Sequence, residues 1–198
     1  MIYTNFKGAD QLILALREQF GQCTPLLLGT ITNQTSVCVF EMLRGFDDPD
    51  ELTRITLKPG RWLALNLFCK LGHAKQDFTA LCHPDSVTSK WDEGVGLITD
   101  SGLVGLFPPE ALAAYDKLYN SLGDDFHNRI CHFGVYTTDH MYPDAHLKLV
   151  ASLQDSGMNG LNSLPNGTCI ITGCPQSGKL RVGRDAAGEP SCILLDWR

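Results

Sequence analysis

Two stretches of the chain repeat one short pattern of residues able to do chemistry. Residues 95–106 read VGLITDSGLVGL and residues 150–161 read VASLQDSGMNGL; in each, an apolar run leads into DSGxxG and then leucine. An Asp-Ser-Gly turn after an apolar strand can present a carboxylate, and two such carboxylates held close share one proton, as in acid proteases. On that reading the candidate catalytic residues are Asp100, Ser101, Asp155 and Ser156, with His132 as a histidine partner. Gly102, Gly105, Gly157 and Gly160 are the candidate ligand-binding positions, where a missing side chain admits a ligand to the backbone. Spacing weighs against protease chemistry, because the triplets lie only fifty-five residues apart, from Asp100 to Asp155, and a two-lobed protease needs a whole lobe between them. Leu103 and Met158 also stand where that chemistry uses a small residue. The plain alternative is two tight turns, with Asp and Ser capping backbone amides and glycine at positive φ. A third reading is that the two turns meet in space and make one polar pocket.

Other constellations are weaker. Asp139, His140, Asp144 and His146 form a dense set in a polar loop, and Ser101 would supply a nucleophile to a small hydrolase. Neither the G-x-S-x-G elbow nor the H-E-x-x-H helix occurs, so surface histidines are the plainer account. Gly173-Cys174-Pro175-Gln176-Ser177-Gly178-Lys179 looks like a phosphate-binding loop. That motif needs Ser or Thr after its lysine and a helix behind it; here Leu180 follows and strand character resumes, which predicts a hairpin loop. Residues 46–50, FDDPD, read as an acidic turn, since no ladder of calcium ligands follows.

Eight cysteines stand at 23, 38, 69, 82, 131, 169, 174 and 192, with no CxxC pair. Cys82-His83 and Cys131-His132 are neighbours whose side chains diverge on a strand, so no metal is expected, and no cofactor either. Several thiols sit in apolar strand patterns, where they act as small hydrophobes. The N-terminus lacks a basic segment followed by an apolar one, and the longest apolar run falls far short of a membrane span. A soluble, cytoplasmic protein with free thiols is the expectation. Net charge of −6, without any Lys/Arg cluster longer than two residues, argues against nucleic acid and anionic membranes as partners. What remains is a protein partner or a small molecule. No feature sets the oligomeric state.

The elements that must position these residues are mostly strands. Residues 10–20 have helical spacing and end at Gly21. Residues 26–32 and 36–43 are β-rich and joined by Asn33-Gln34-Thr35, which predicts a hairpin. Strands are expected at 54–57 and 62–70 around the Lys58-Pro59-Gly60 turn, and again at 77–82; residues 84–90 read as a loop. After the first Asp-Ser-Gly turn, Pro108 and Pro109 open a helix whose apolar face runs through Leu112, Tyr115, Leu118, Tyr119 and Leu122 to Gly123. Residues 130–137 and 148–153 have strand character, 157–167 read as a long irregular loop, and strands at 169–172, 179–182 and 191–195 close the chain around a turn at 185–188. The expected class is α+β, a mainly antiparallel β-sheet, sandwich-like or strongly curved, with two or three helices in a single domain over 1–198.

The order of motifs resembles a widespread bacterial family of unknown function, numbered 4241. Its P-G-R-[YW], [RK]-W and V-D-[AS]-G-x-G-x-F motifs have counterparts in Pro59-Gly60-Arg61-Trp62, Lys90-Trp91 and residues 99–107. Its serine-glycine loop is similar to residues 150–160, and its closing hairpin, G-x-D-x-x-G-E-P before an apolar run and D-[FW], to residues 182–197. The resemblance spans about residues 55–198, with residues 1–45 as an elaboration. Met158-Asn159-Gly160 replaces the family's glycine-aspartate loop, and about twenty extra residues precede the hairpin. Because that family has no established activity, the resemblance implies a fold. The functional expectation is a cytoplasmic binding or regulatory protein, of immunity type in its protein–protein contacts, with a small hydrolase at the two Asp-Ser-Gly turns as the alternative.

Overall fold

The structure, a computed structural model, describes residues 7–32, 34–41, 52–71, 74–98, 103–110, 112, 120, 160–164, 167–173 and 177–196. In chain order the elements are α1 (Lys7–Phe20), β1 (Gln22–Thr32), β2 (Ser36–Glu41), β3 (Thr53–Thr56), β4 (Arg61–Leu71), β5 (Ala74–Cys82), β6 (Lys90–Trp91), β7 (Val95–Ile98), β8 (Leu103–Phe107), β9 (Gly160–Leu164), β10 (Gly167–Gly173), β11 (Ser177–Arg184) and β12 (Pro190–Asp196). The class is α+β with mainly antiparallel sheet. The strands form two sheets, in order β1-β4-β5-β12-β11-β6 with β7 also on β11, and β3-β2-β8-β10-β9. The chain divides accordingly into one unit of Met1–Thr35, Thr56–Leu97 and Ser177–Arg198, and another of Ser36–Ile55 and Ile98–Gln176.

In the first unit, α1 forms because Ala9, Leu12, Ile13 and Leu16 recur at helical spacing, and all four are buried. The helix stops at Gly21, whose φ of 77° is the left-handed conformation glycine adopts freely. Its N–H donates to the Arg17 carbonyl at 2.7 Å. The Arg17 Nε in turn donates to the Cys23 carbonyl, tying the helix end to β1.

Strand β4 is the middle of this core. Trp62 to Leu67 are all buried, as expected of a strand covered on both faces. Its odd-numbered residues Leu63, Leu65 and Leu67 join Phe78 and Ala80 of β5 and Leu194 of β12 in the cluster that includes the apolar stripe of α1. Burying each such leucine stabilises by roughly 1.5–3 kcal/mol. On the opposite face Asn66 is buried too, and Thr79, its partner across the ladder, donates a 3.0 Å hydrogen bond to its Oδ1. A bulge between Leu27 and Gly29 shifts β1 by one residue, so Leu27 shares the α1-facing side with Leu65 while Ile31 lies opposite Trp62 on the other.

Cysteines fill two facing positions on the α1 side, Cys23 opposite Cys69 and Cys82 opposite Cys192. All four are buried. The Sγ atoms of Cys82 and Cys192 lie 3.1 Å apart, and the neighbouring thiol together with burial pushes Cys192 well above the ordinary thiol value. A thiol so placed stays protonated and acts as a small hydrophobe.

Several expectations need correction. Strands β1 and β2 do not form a hairpin, since β1 pairs with β4 and β2 with β8, in different sheets. Residues 157–167 do not make one irregular loop, because residues 160–164 form β9, antiparallel to β10. Residues 174–176 do not close a hairpin either, since β10 and β11 belong to different sheets. One helix, α1, is found among the described residues instead of two or three; Pro109, Glu110, Leu112 and Asn120 have helical backbone, and the rest of the expected second helix lies outside the described residues. The strands expected at 130–137 and 148–153 also fall outside them. Among the described residues no helix is long and apolar enough to cross a membrane.

Gly8 sets the approach of α1 to the 83–86 turn. Its N–H donates to the Pro84 carbonyl, and a Cβ there would stand 2.6 Å from the His83 carbonyl oxygen and closer still to that of Ser86. Gly8→Ala should therefore lower stability by about 1–3 kcal/mol, the usual cost of overpacking. Leu14→Ala, at an exposed position of the same helix, should change it by no more than about 0.5 kcal/mol. Urea denaturation of both variants checks this, and equal midpoints would refute the close contact.

Candidate functional site

Of the residues singled out by the sequence, Asp100, Ser101, Gly102, His132, Asp155, Ser156 and Gly157 lie outside the described residues, as do Asp139, His140, Asp144 and His146. Gly105 and Gly160 are described. Gly105 on β8 and Gly160 on β9 both pair with Ile171 of β10, from opposite sides, and Leu106 and Leu161 both pair with Ile170. The two DSGxxG repeats thus end in the same register on the two flanks of one strand. Among the described residues no group of three or more His, Cys, Asp and Glu is placed to hold a metal ion.

His83 is the described histidine with the richest surroundings. Its side chain diverges from that of Cys82, as a strand requires, and lies edge-on to Trp62 with ring centres 5.5 Å apart. The ring Nδ1 accepts from the Asp85 N–H at 3.3 Å and stands 3.2 Å from Ser86 Oγ. With Nδ1 an acceptor, Nε2 carries the proton and donates to the Pro59 carbonyl at 3.3 Å. Lys58 Nζ donates to Ser86 Oγ and pairs with Asp185. Asp185 Oδ1 accepts from the backbone amides of Ala187 and Glu189. A serine touching an imidazole and a lysine has the composition of a nucleophilic site. Here, however, His83 and Ser86 are only 9% and 7% exposed, and each polar atom is spent on a neighbouring loop. The cluster is a structural lock. Separate turns and strands meet around it: His83 holds Pro59, Lys90 and Trp91 pair with Arg184 and Gly183, and Lys58 holds the 185–188 turn.

Among the described residues, an opening lies under α1. A cavity of about 220 Å³ is lined by Leu12, Ala15, Leu16 and Gln19 of the helix and by Phe78, Trp91, Arg181, Leu194 and Asp196 of the sheet. A smaller one of about 60 Å³ adjoins it, sharing Leu12, Ala15 and Trp91 and adding Gln11 and Thr88. The Gln11 side chain is held there by the Thr88 N–H and carbonyl, at 2.9 and 2.8 Å.

Besides Gln19, two polar side chains of the sheet line the space, Arg181 and Asp196. Arg181 pairs with Leu194 across β11 and β12, and Lys179 pairs with Asp196, so Arg181 and Asp196 are diagonal neighbours on the α1-facing side. The Asp196 residue is 2% exposed. The Arg181 Nε is buried without a hydrogen-bond partner, and its stem passes Gly94, where a Cβ would stand 3.1 Å from Arg181 Cγ. An unsatisfied buried donor costs about 1–3 kcal/mol.

Sequence reasoning missed this site. In the sequence Arg181 falls within the strand expected at 179–182, and Asp196 just beyond the one expected at 191–195. The available signal was Asp196 itself, a carboxylate ending a strand whose seven residues are all buried. Compared with known proteins, the chain matches no family model, no curated protein and no solved structure.

The lock has a pH signature. The Asp185 carboxyl is held below its ordinary value, first by the Lys58 hydrogen bond, against a partial opposing effect of burial, and then by the Glu189 and Ala187 amides. A carboxylate with a depressed native value gives its full stabilisation above its unfolded value of about 3.9 and loses it as pH falls through the native value. Wild type should be more stable than Asp185→Asn at pH 7, and the gap should close below about pH 4. Denaturant midpoints across pH 2–7 read it; a gap independent of pH would contradict the role.

Proposed function

We propose that the chain is a binding and regulatory protein, with the cavity under α1 as its ligand site. The observation that carries this reading is the 220 Å³ space between α1 and the sheet, lined by apolar Leu12, Leu16, Phe78 and Leu194 and by polar Gln19, Arg181 and Asp196. Small-molecule sites have this make-up, with apolar walls and a few fixed polar groups, and even a dry apolar cavity of about 150 Å³ takes up benzene. A ligand there touches α1 and the sheet together, so its occupancy is felt as the stability of the helix seat, a route by which binding regulates a partner. A cytoplasmic setting and membership of the family numbered 4241 belong to the same proposal, supported by the order of motifs from Pro59 to Trp197.

A second reading keeps the small hydrolase. It is supported by the shared register of Gly105 and Gly160, the last glycines of the two repeats, on Ile171. Asp100→Asn and Asp155→Asn should then each lower hydrolysis of an unstructured protein at acid pH by about two orders of magnitude or more. Absence of such hydrolysis in the wild type counts against it.

The binding reading is checked with toluene as an apolar probe and Leu16→Phe as a filling variant. Toluene should raise the melting temperature of the wild type saturably, by about 1–3 °C, the scale of a few tenths to 1 kcal/mol. Leu16→Phe should keep its stability, because the ring enters existing space, and lose the toluene response. A variant destabilised as in a filled core, by about 1–3 kcal/mol, or an undiminished response, contradicts the cavity as the site.

A further inference from the structure

The facing cysteines of the first unit hold a chemistry that the space under α1 does not use. We infer that Cys82 and Cys192 are a dithiol–disulfide pair, closed by a small-molecule disulfide such as glutathione disulfide while the chain folds, which links β5 to β12. The register places them. Cys82 of β5 lies directly opposite Cys192 of β12. One step along the same ladder, the His83 N–H donates to the Ser191 carbonyl at 2.9 Å. Hydrogen-bonded and non-hydrogen-bonded pairs alternate in an antiparallel ladder, so Cys82 and Cys192 form a non-hydrogen-bonded pair. Opposed Cα atoms in such a pair stand about 4.5 Å apart, inside the span of about 4.4–6.8 Å that a disulfide bridges. The two Sγ atoms already lie 3.1 Å apart, so closure asks for no change of register.

The exchange balances in two steps. The thiolate of one cysteine attacks a sulfur of glutathione disulfide, forming a mixed disulfide and releasing one glutathione thiolate. The thiolate of the other then attacks the protein sulfur of that mixed disulfide and releases the second glutathione. Together the two protein thiols give up two electrons and two protons, and glutathione disulfide becomes two glutathione thiols. Burial decides when this happens. Cys82 and Cys192 are 0% and 2% exposed and share their cluster with Leu63, Ala80 and Leu194, so a tripeptide has no access to either sulfur in the folded chain. The Cys82 thiol, and then burial, push Cys192 well above the ordinary thiol value, which keeps the attacking thiolate scarce. In the unfolded chain both thiols are solvated and titrate near the ordinary value of about 8.5. The folded chain therefore keeps the dithiol or the disulfide with which it folded.

Refolding the full chain from urea tests this, once with excess glutathione disulfide and once with reduced glutathione. Peptide mapping without reduction should show the Cys82 and Cys192 peptides joined in the oxidised sample alone. Because the bond joins residues 110 apart in sequence, the oxidised protein should melt higher, by about 5–15 °C. Cys192→Ala should refold and lose that gain. Glutathione disulfide added to the folded, reduced protein should form the bond at least about tenfold more slowly than during refolding. Oxidised wild type with Cys82 and Cys192 unlinked, or each joined to another cysteine, overturns the inference without any variant. Equal rates before and after folding overturn the claim that folding sets the state.

Discussion

Helix α1 rests on its sheet at two supports, and a space of about 220 Å³ lies between them. At the N-terminal support Gly8 lets the helix backbone approach the 83–86 turn so closely that no side chain fits. At the other end Phe20 packs against Phe78 with ring centres 5.6 Å apart, just before Gly21 turns the chain into β1. Between the supports Leu12 and Leu16 reach the sheet, but Ala15 is short and the walls do not close. A helix that had to lie flush along its whole length would leave no cavity.

The strands below hold that geometry rigid. Strand β4 is buried on both faces along Trp62 to Leu67, and β12 along its whole length, so neither can shift register without moving a set of apolar side chains to the wrong face. The polar lock around His83 fixes the ends of these strands: it joins the 58–60 turn, the 83–86 turn and the 185–188 turn through one imidazole, one serine and one ion pair. Its residues are the ones a search for catalysis would pick first. Their burial and their hydrogen bonds to neighbouring turns assign them to structure, while the less conspicuous Arg181 and Asp196 line the space under α1.

Local features of the fold were legible in the sequence, and pairings were not. The helix at 10–20, its stop at Gly21, the turns at 58–60 and 185–188 and the strands around Trp62 and Ile193 follow from spacing and turn chemistry. Alternation tells which face a side chain takes but not which strand lies alongside, so β1 and β2 looked like a hairpin and proved to belong to different sheets. Strand β9 was hidden because GLNSL contains no β-branched or aromatic residue and does not alternate apolar with polar. The site was illegible for a further reason: Gln19, Phe78, Trp91, Arg181 and Asp196 come from five elements spread over the chain, and each residue alone has an ordinary reading. The echo of DSGxxG was visible at once, and the structure adds the shared register of its final glycines on Ile171.

The central claim is that the space under α1 takes up a small ligand. The most direct measurement is the ¹⁵N–¹H spectrum of the full chain followed during titration with toluene, in the wild type and in Leu16→Phe. The account predicts saturable shifts confined to α1 and to the strand residues that line the space, and none in Leu16→Phe. Shifts scattered over the chain, or equal in the two proteins, would contradict it.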